Sequence, residues 1–135
     1  MDLVFPNTFF RKENSPVHKK KLLVYDTARG IASEIRKKIS SDYDIYFCLK
    51  KGDDKKIELA DFFAAIIIVN DIDDLKKIEE FDLKINNLIV SSSINKDYFN
   101  YPSLKNLIIF DLNLNRKSTI SLIKEKLNYI ALQMN

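Results

Sequence analysis

Residues 64–70, Ala64-Ala65-Ile66-Ile67-Ile68-Val69-Asn70, decide the fold. Six apolar residues in a row with no polar alternation are the mark of a strand buried on both faces, the kind found in parallel sheets covered by helices. Asn70-Asp71-Ile72-Asp73-Asp74 follows, where Asp71 or Asp73 can cap a helix carrying Leu75 and Ile78. Working outward, the same kind of short apolar run recurs upstream at Leu22–Tyr25 and Ile45–Leu49, and downstream at Leu88–Val90 and Leu107–Phe110. Between the runs lie helical patterns. Ala28, Ala32, Ile35 and Ile39 recur at helical spacing, a short helix is expected around Lys55–Ala60, and a long last helix carries Ile120, Ile123, Leu127, Ile130, Ala131 and Met134 on one face. Five strands alternating with about five helices predict an α/β fold, a parallel sheet with helices on both faces. Right-handed crossovers favour the order 2-1-3-4-5, with Val24, Ile67, Ile68, Ile89 and Ile108 in the core. In such a sheet, sites form at the carboxyl ends of strands 1 and 3. That rule singles out Asp26, Asn70 and Asp71, with Ser91 and Asp111 at neighbouring strand ends. Polar residues in these places also serve simply to end strands and cap helices.

The rest of the chain narrows the classes. Its 135 residues fit one domain, residues 19–135, preceded by an arm, residues 1–18, that holds Pro6 and Pro16 and shows no sustained periodicity. Leu3, Val4, Phe5, Phe9 and Phe10 make the arm too apolar to stay freely solvated, so packing on this domain or a neighbour is expected. The net charge of +3 is too small to imply nucleic acid or an anionic membrane. Its distribution is uneven: +5 over residues 1–51, −5 over 52–84 and +3 over 85–135. The tract His18-Lys19-Lys20-Lys21 reads as a solvated entry to the first strand. A single Cys48 precludes an internal disulfide, and one His with one Cys cannot build a zinc site of the usual ligand types. The longest apolar run, Phe62–Val69, is too short to span a bilayer as a helix, and the first ten residues lack a secretory signal. A cytoplasmic setting, with no cofactor and no metal, is the expectation.

The order, lengths and spacings resemble the receiver domain of two-component response regulators over residues 20–134. In that family an acidic pair ends strand 1 and holds Mg²⁺, a phosphate-accepting Asp ends strand 3, a Ser or Thr ends strand 4 and a Lys ends strand 5. Tyr25-Asp26 falls on the acidic pair, and Asn70 follows Asp26 by 44 residues, close to the family's spacing to its acceptor. Ser91 matches the hydroxyl residue, Phe110 the lysine, and Leu107 the switching aromatic. The resemblance therefore implies a degenerate pocket of Asp26, Asn70, Ser91 and Phe110. A carboxamide nitrogen is not a nucleophile, and its oxygen cannot form an acyl phosphate; Phe110 removes the cation that would neutralise phosphate charge. No catalytic residue and no enzyme activity are expected. A one-residue shift would instead make Asp71 the acceptor, although Asp71-Ile72-Asp73-Asp74 reads without effort as a helix N-terminus.

A second resemblance is to flavodoxins. Tyr25-Asp26-Thr27-Ala28-Arg29-Gly30-Ile31-Ala32 is loosely similar to their FMN phosphate loop, with Thr27 and Gly30 matching. A phosphate nest needs several converging backbone N–H groups, and the loops after strands 3 and 4 here contain no glycine. Hydrolase chemistry has no support, since no Gly-x-Ser-x-Gly elbow occurs. What the receiver resemblance leaves is an interaction module, binding a protein partner or a second copy. The expected surface is Tyr98, Phe99 and Tyr101 before Pro102, with the outer face of the last helix, where Lys117, Lys124 and Lys126 lie.

Overall fold

The computed structural model describes residues 19–92, 106–109 and 116–133. In chain order the elements are β1 (Lys20–Tyr25), α1 (Gly30–Lys38), β2 (Tyr43–Cys48), β3 (Ala64–Val69), α2 (Leu75–Asp82), β4 (Leu88–Ser92), β5 (Asn106–Ile109) and α3 (Arg116–Gln133). The five strands form one sheet in the order β2-β1-β3-β4-β5, every neighbouring pair parallel. β1 thus lies between β2 and β3, and the chain reverses its direction of strand addition there. The reversal opens a crevice at the carboxyl ends of β1 and β3.

The expected central strand is β3, and all six of its side chains are buried. Ile66 and Ile68 face one layer, packed with Ile35 of α1 and Ile123 and Leu127 of α3, while Ile67 and Val69 face the other, with Ile78 and Phe81 of α2. Full burial of one such side chain contributes about 1.5–3 kcal/mol, enough to hold helices too short to persist alone. α2 has eight residues and is pinned by Phe81, whose ring meets Tyr25 edge to face at 6.1 Å. Of the expected core, Val24, Ile67, Ile68 and Ile89 are buried, and the Ile108 side chain lies outside the described residues. No helix among the described residues is long and apolar enough to cross a membrane.

Two expectations change. Ala28 is exposed and precedes α1, and Ile31 joins Ala32 and Ile35 on the buried face. The cause is Arg29, which caps the helix in the left-handed region at φ 70° while its N–H donates to the Asp26 carbonyl, so the helix cannot begin earlier. The expected helix around Lys55–Ala60 is replaced by two single turns of 3₁₀ helix, Asp53–Lys56 and Leu59–Asp61. Ile57 between them is extended and half-buried against the α2 layer, and Leu59 is the one fully buried apolar side chain of this stretch. There is no stripe for a helix to bury.

Cys48 is fully buried in the α2 layer, and burial, aided by the Asp54 charge, pushes its thiol up to about 12. Burial likewise pushes the Tyr25 phenol up to about 12, with Asp74 the next cause. Both groups hold their protons longer folded than unfolded, so stability should fall as pH rises past their ordinary values of 9.0 and 10.0. Urea midpoints measured between pH 7 and 10.5 should decline above about pH 9. At pH 8, a thiol reagent should label Cys48 at least about a hundredfold more slowly in native than in urea-unfolded protein. Equal rates would show that the thiol is accessible in the native state.

Candidate functional site

Asp26 is the first residue past β1, and its N–H is held by the Cys48 carbonyl at 3.0 Å. Its side chain turns inward and is completely buried. Oδ2 accepts the Ala32 N–H at 2.9 Å, one of the donors that the first turn of α1 would otherwise leave unpaired. Oδ1 accepts Nδ2 of Asn70 at 2.9 Å. An ionised carboxylate has only acceptors, so the amide must turn its nitrogen toward Asp26. The same nitrogen also donates to the Ile68 carbonyl at 3.3 Å. The two residues singled out at the switch point are therefore in direct contact.

Beyond Asn70 the backbone is fixed by a third residue. Asp74 Oδ2 accepts the N–H groups of Asn70, at 2.8 Å, and Asp71, at 3.2 Å, and the Asp74 N–H donates to Asp71 Oδ1. This is a reciprocal capping box at the entry to α2. Asp74 is buried, and its Oδ1 has no hydrogen-bond partner among the described residues. Burial raises its carboxyl above the ordinary 3.8, against the two backbone hydrogen bonds that lower it. Asp71, weighed above as an alternative acceptor, is the exposed cap of this box.

Ser91 is not brought to the Asp26–Asn70 pair by any hydrogen bond. It lies within β4 rather than at its end, beside Ile68, and its buried Oγ has no partner among the described residues. Asn70 lies two residues farther along, or about 6.6 Å up the sheet. Phe110, Asp111, Tyr98, Phe99, Tyr101 and the arm lie outside the described residues.

The sequence reading missed Asp74 and the Asp54–Lys77 pair. The Asp71-x-x-Asp74 spacing was the available signal for the first. Lys77 of α2 reaches both Asp54 oxygens at 3.0 and 3.2 Å, with Glu80 at 3.4 Å, and sits 5.9 Å from the Tyr25 ring centroid.

The donors present do not fit Mg²⁺, which wants several oxygen ligands in a near-octahedral shell. Asp26 is the carboxylate at the end of β1, both of its oxygens are engaged, and an amide N–H points at the one that faces Asn70. No cluster of three or more His, Cys, Asp or Glu side chains that could hold a metal occurs among the described residues. The loop from Tyr25 to Ala32 is equally ill suited to a phosphate group. The Arg29 and Ala32 N–H groups are spent on Asp26, and the buried carboxylate at its centre would repel an anion.

This strand order defines a doubly wound domain with its switch point between β1 and β3. Among solved structures, the chain is similar to a CheY-like response regulator receiver domain protein from Methanospirillum hungatei JF-1, with 15% identity and a TM-score of 0.58, covering 85% of this chain and 98% of that one. It is also similar to a putative pilus assembly-related protein from Burkholderia pseudomallei K96243, with 11% identity and a TM-score of 0.50, covering 84% and 94%. No protein-family model and no curated protein matches the chain. At these identities the likeness is one of fold, and the chain has the receiver fold.

Proposed function

We propose that this domain is a signalling module that binds a protein partner or a second copy without accepting a phosphoryl group. The observation that carries the proposal is the 2.9 Å hydrogen bond from Asn70 Nδ2 to Asp26 Oδ1. The receiver resemblance implies acidic residues that would hold Mg²⁺ at the end of strand 1 and a phosphate-accepting Asp at the end of strand 3. Here an amide proton joins the two side chains directly. Such a bond holds the crevice in one arrangement without a ligand. A ligand shifts an equilibrium only by its differential affinity for two states, so with no acceptor the phosphoryl group has no second state to favour.

What the domain offers a partner is surface. On α3, Ile120, Ile123, Leu127 and Ile130 are buried, whereas Leu122, Tyr129 and Leu132 are 41%, 53% and 73% exposed. Their spacing puts the exposed three along one side of the helix, with Lys126 four residues from Leu122 and three from Tyr129. Tyr98, Phe99 and Tyr101 belong to the same proposed surface.

Incubation with acetyl phosphate and Mg²⁺ should leave the intact mass unchanged. A gain of one phosphoryl group, lost in Asp71→Asn, would make Asp71 the acceptor and end the proposal. For an identified partner, Tyr129→Ala or Tyr101→Ala should weaken binding by about 2 kcal/mol, some thirtyfold. Affinities within twofold of the unaltered protein for both would move the interface elsewhere.

A further inference from the structure

The two 3₁₀ turns that replace a helix between β2 and β3 leave an open groove of about 280 Å³ against the outer strand of the sheet. Its walls are apolar and aromatic. Tyr46 meets Phe62 edge to face at 6.4 Å, and Ile57 is half-buried beside them. Its rim is acidic: Asp44, Glu58 and Asp61 are exposed carboxylates facing a single ammonium, Lys21. None of the three carboxylates has an ion-pair partner among the described residues. An aromatic cleft with a net negative rim suits a segment in which rings adjoin cations.

The chain carries one such segment close at hand, Phe9-Phe10-Arg11-Lys12. Ten residues lie between Phe10 and Lys21, which lines the groove itself. Fully extended, that tether spans at most about 40 Å. A short tether raises the local concentration of the segment at the groove to about the millimolar range, so weak contacts suffice. We propose that residues 9–12 dock into this groove of their own chain, Phe9 or Phe10 packing against Tyr46, Phe62 and Ile57 while Arg11 and Lys12 meet Asp44, Glu58 and Asp61. The inference does not depend on the state of the Asp26–Asn70 crevice or on the function proposed above.

Limited trypsin digestion of the full chain, followed by mass spectrometry, reads the docking at Arg11 and Lys12. Asp44→Asn/Asp61→Asn removes rim charge at exposed positions without touching the core. Cleavage after Arg11 and Lys12 should be roughly five- to tenfold faster in that variant than in the unaltered protein. Phe9→Ala/Phe10→Ala should accelerate it likewise, while Cys48 labelling stays as slow in both variants as in the unaltered protein. Equal cleavage rates in all three would overturn the proposal. Repeating the digestion over a fiftyfold range of protein concentration separates self-docking from exchange between copies. Protection that is independent of concentration supports docking in cis, and protection lost on dilution, with dimers in sedimentation, overturns it in favour of a second copy.

Discussion

Asn70→Asp should make the stability of this domain depend on magnesium. In the native protein the Asn70 amide donates to Asp26 Oδ1 at 2.9 Å, and Asp26 has no exposed surface. The substitution removes the donor and sets a second carboxylate against the first. A charged-acceptor hydrogen bond is worth about 1.5–3 kcal/mol, and two like charges 4 Å apart repel by about 4 kcal/mol at an effective dielectric of 20. Relaxation and partial protonation relieve some of this, leaving an expected loss of about 3 kcal/mol in EDTA, or a fall in Tm on the order of 10 °C. A divalent cation between the two carboxylates reverses the sign of the interaction. About 10 mM Mg²⁺, against a Kd of about 1 mM, should restore roughly 1.4 kcal/mol. The unaltered protein should show no shift with Mg²⁺, because its amide N–H points where the cation would sit. A rise in its Tm with Mg²⁺ would sink the closed-crevice reading. An Asn70→Asp protein as stable as the original in EDTA would show that the pair is not held together as described.

Lys77→Ala should cost more than any exposed lysine substitution, about 3–5 kcal/mol. The Asp54 side chain is 1% exposed, and Lys77, 17% exposed, supplies both of its short contacts. Removing the ammonium leaves a buried carboxylate without a counter-charge, and desolvation is then uncompensated. Burial works to lower the Lys77 ammonium below 10.5, but the hydrogen bond and charge of Asp54, with Glu80, outweigh it and hold it above that value. Stability from this pair is therefore fully present below pH 10.5 and is lost as pH rises through the raised value. It adds to the alkaline decline set by Cys48 and Tyr25. Asp54→Asn combined with Lys77→Met should recover most of the loss, since it removes both charges and keeps volume. Chemical denaturation of Asp54→Asn, Lys77→Met and the double variant gives the coupling energy directly. A Lys77→Ala cost below about 1 kcal/mol would place this pair with ordinary surface ion pairs.

The strands were legible in the sequence because a parallel strand between helical layers is apolar on both faces. Ala64–Val69 shows this as an unbroken run, and its bounds in the structure are the same. Their order was legible too, since right-handed crossovers leave few arrangements, and the 44-residue interval from Asp26 to Asn70 put both residues at one end of the sheet. Periodicity failed where little is buried. The stretch Lys55–Ala60 has ordinary helix-forming residues, but only Leu59 is buried, with Ile57 half-buried at the core's edge, and it forms 3₁₀ turns beside an open groove.

What only the tertiary structure decided is which polar groups meet. The direction of the Asn70 amide follows from the carboxylate it faces, and no local pattern encodes that. Lys77 sits on α2 among residues that read as a solvated helix face, yet it neutralises an aspartate 23 residues earlier. Ser91 reads as a strand-ending hydroxyl, but the register of β4 against β3 places it beside Ile68, inside the sheet. Apolar burial repeats with the period of the backbone and so leaves a trace in sequence. Polar pairing is set by single side chains meeting across the fold, and its geometry exists only once the layers have packed.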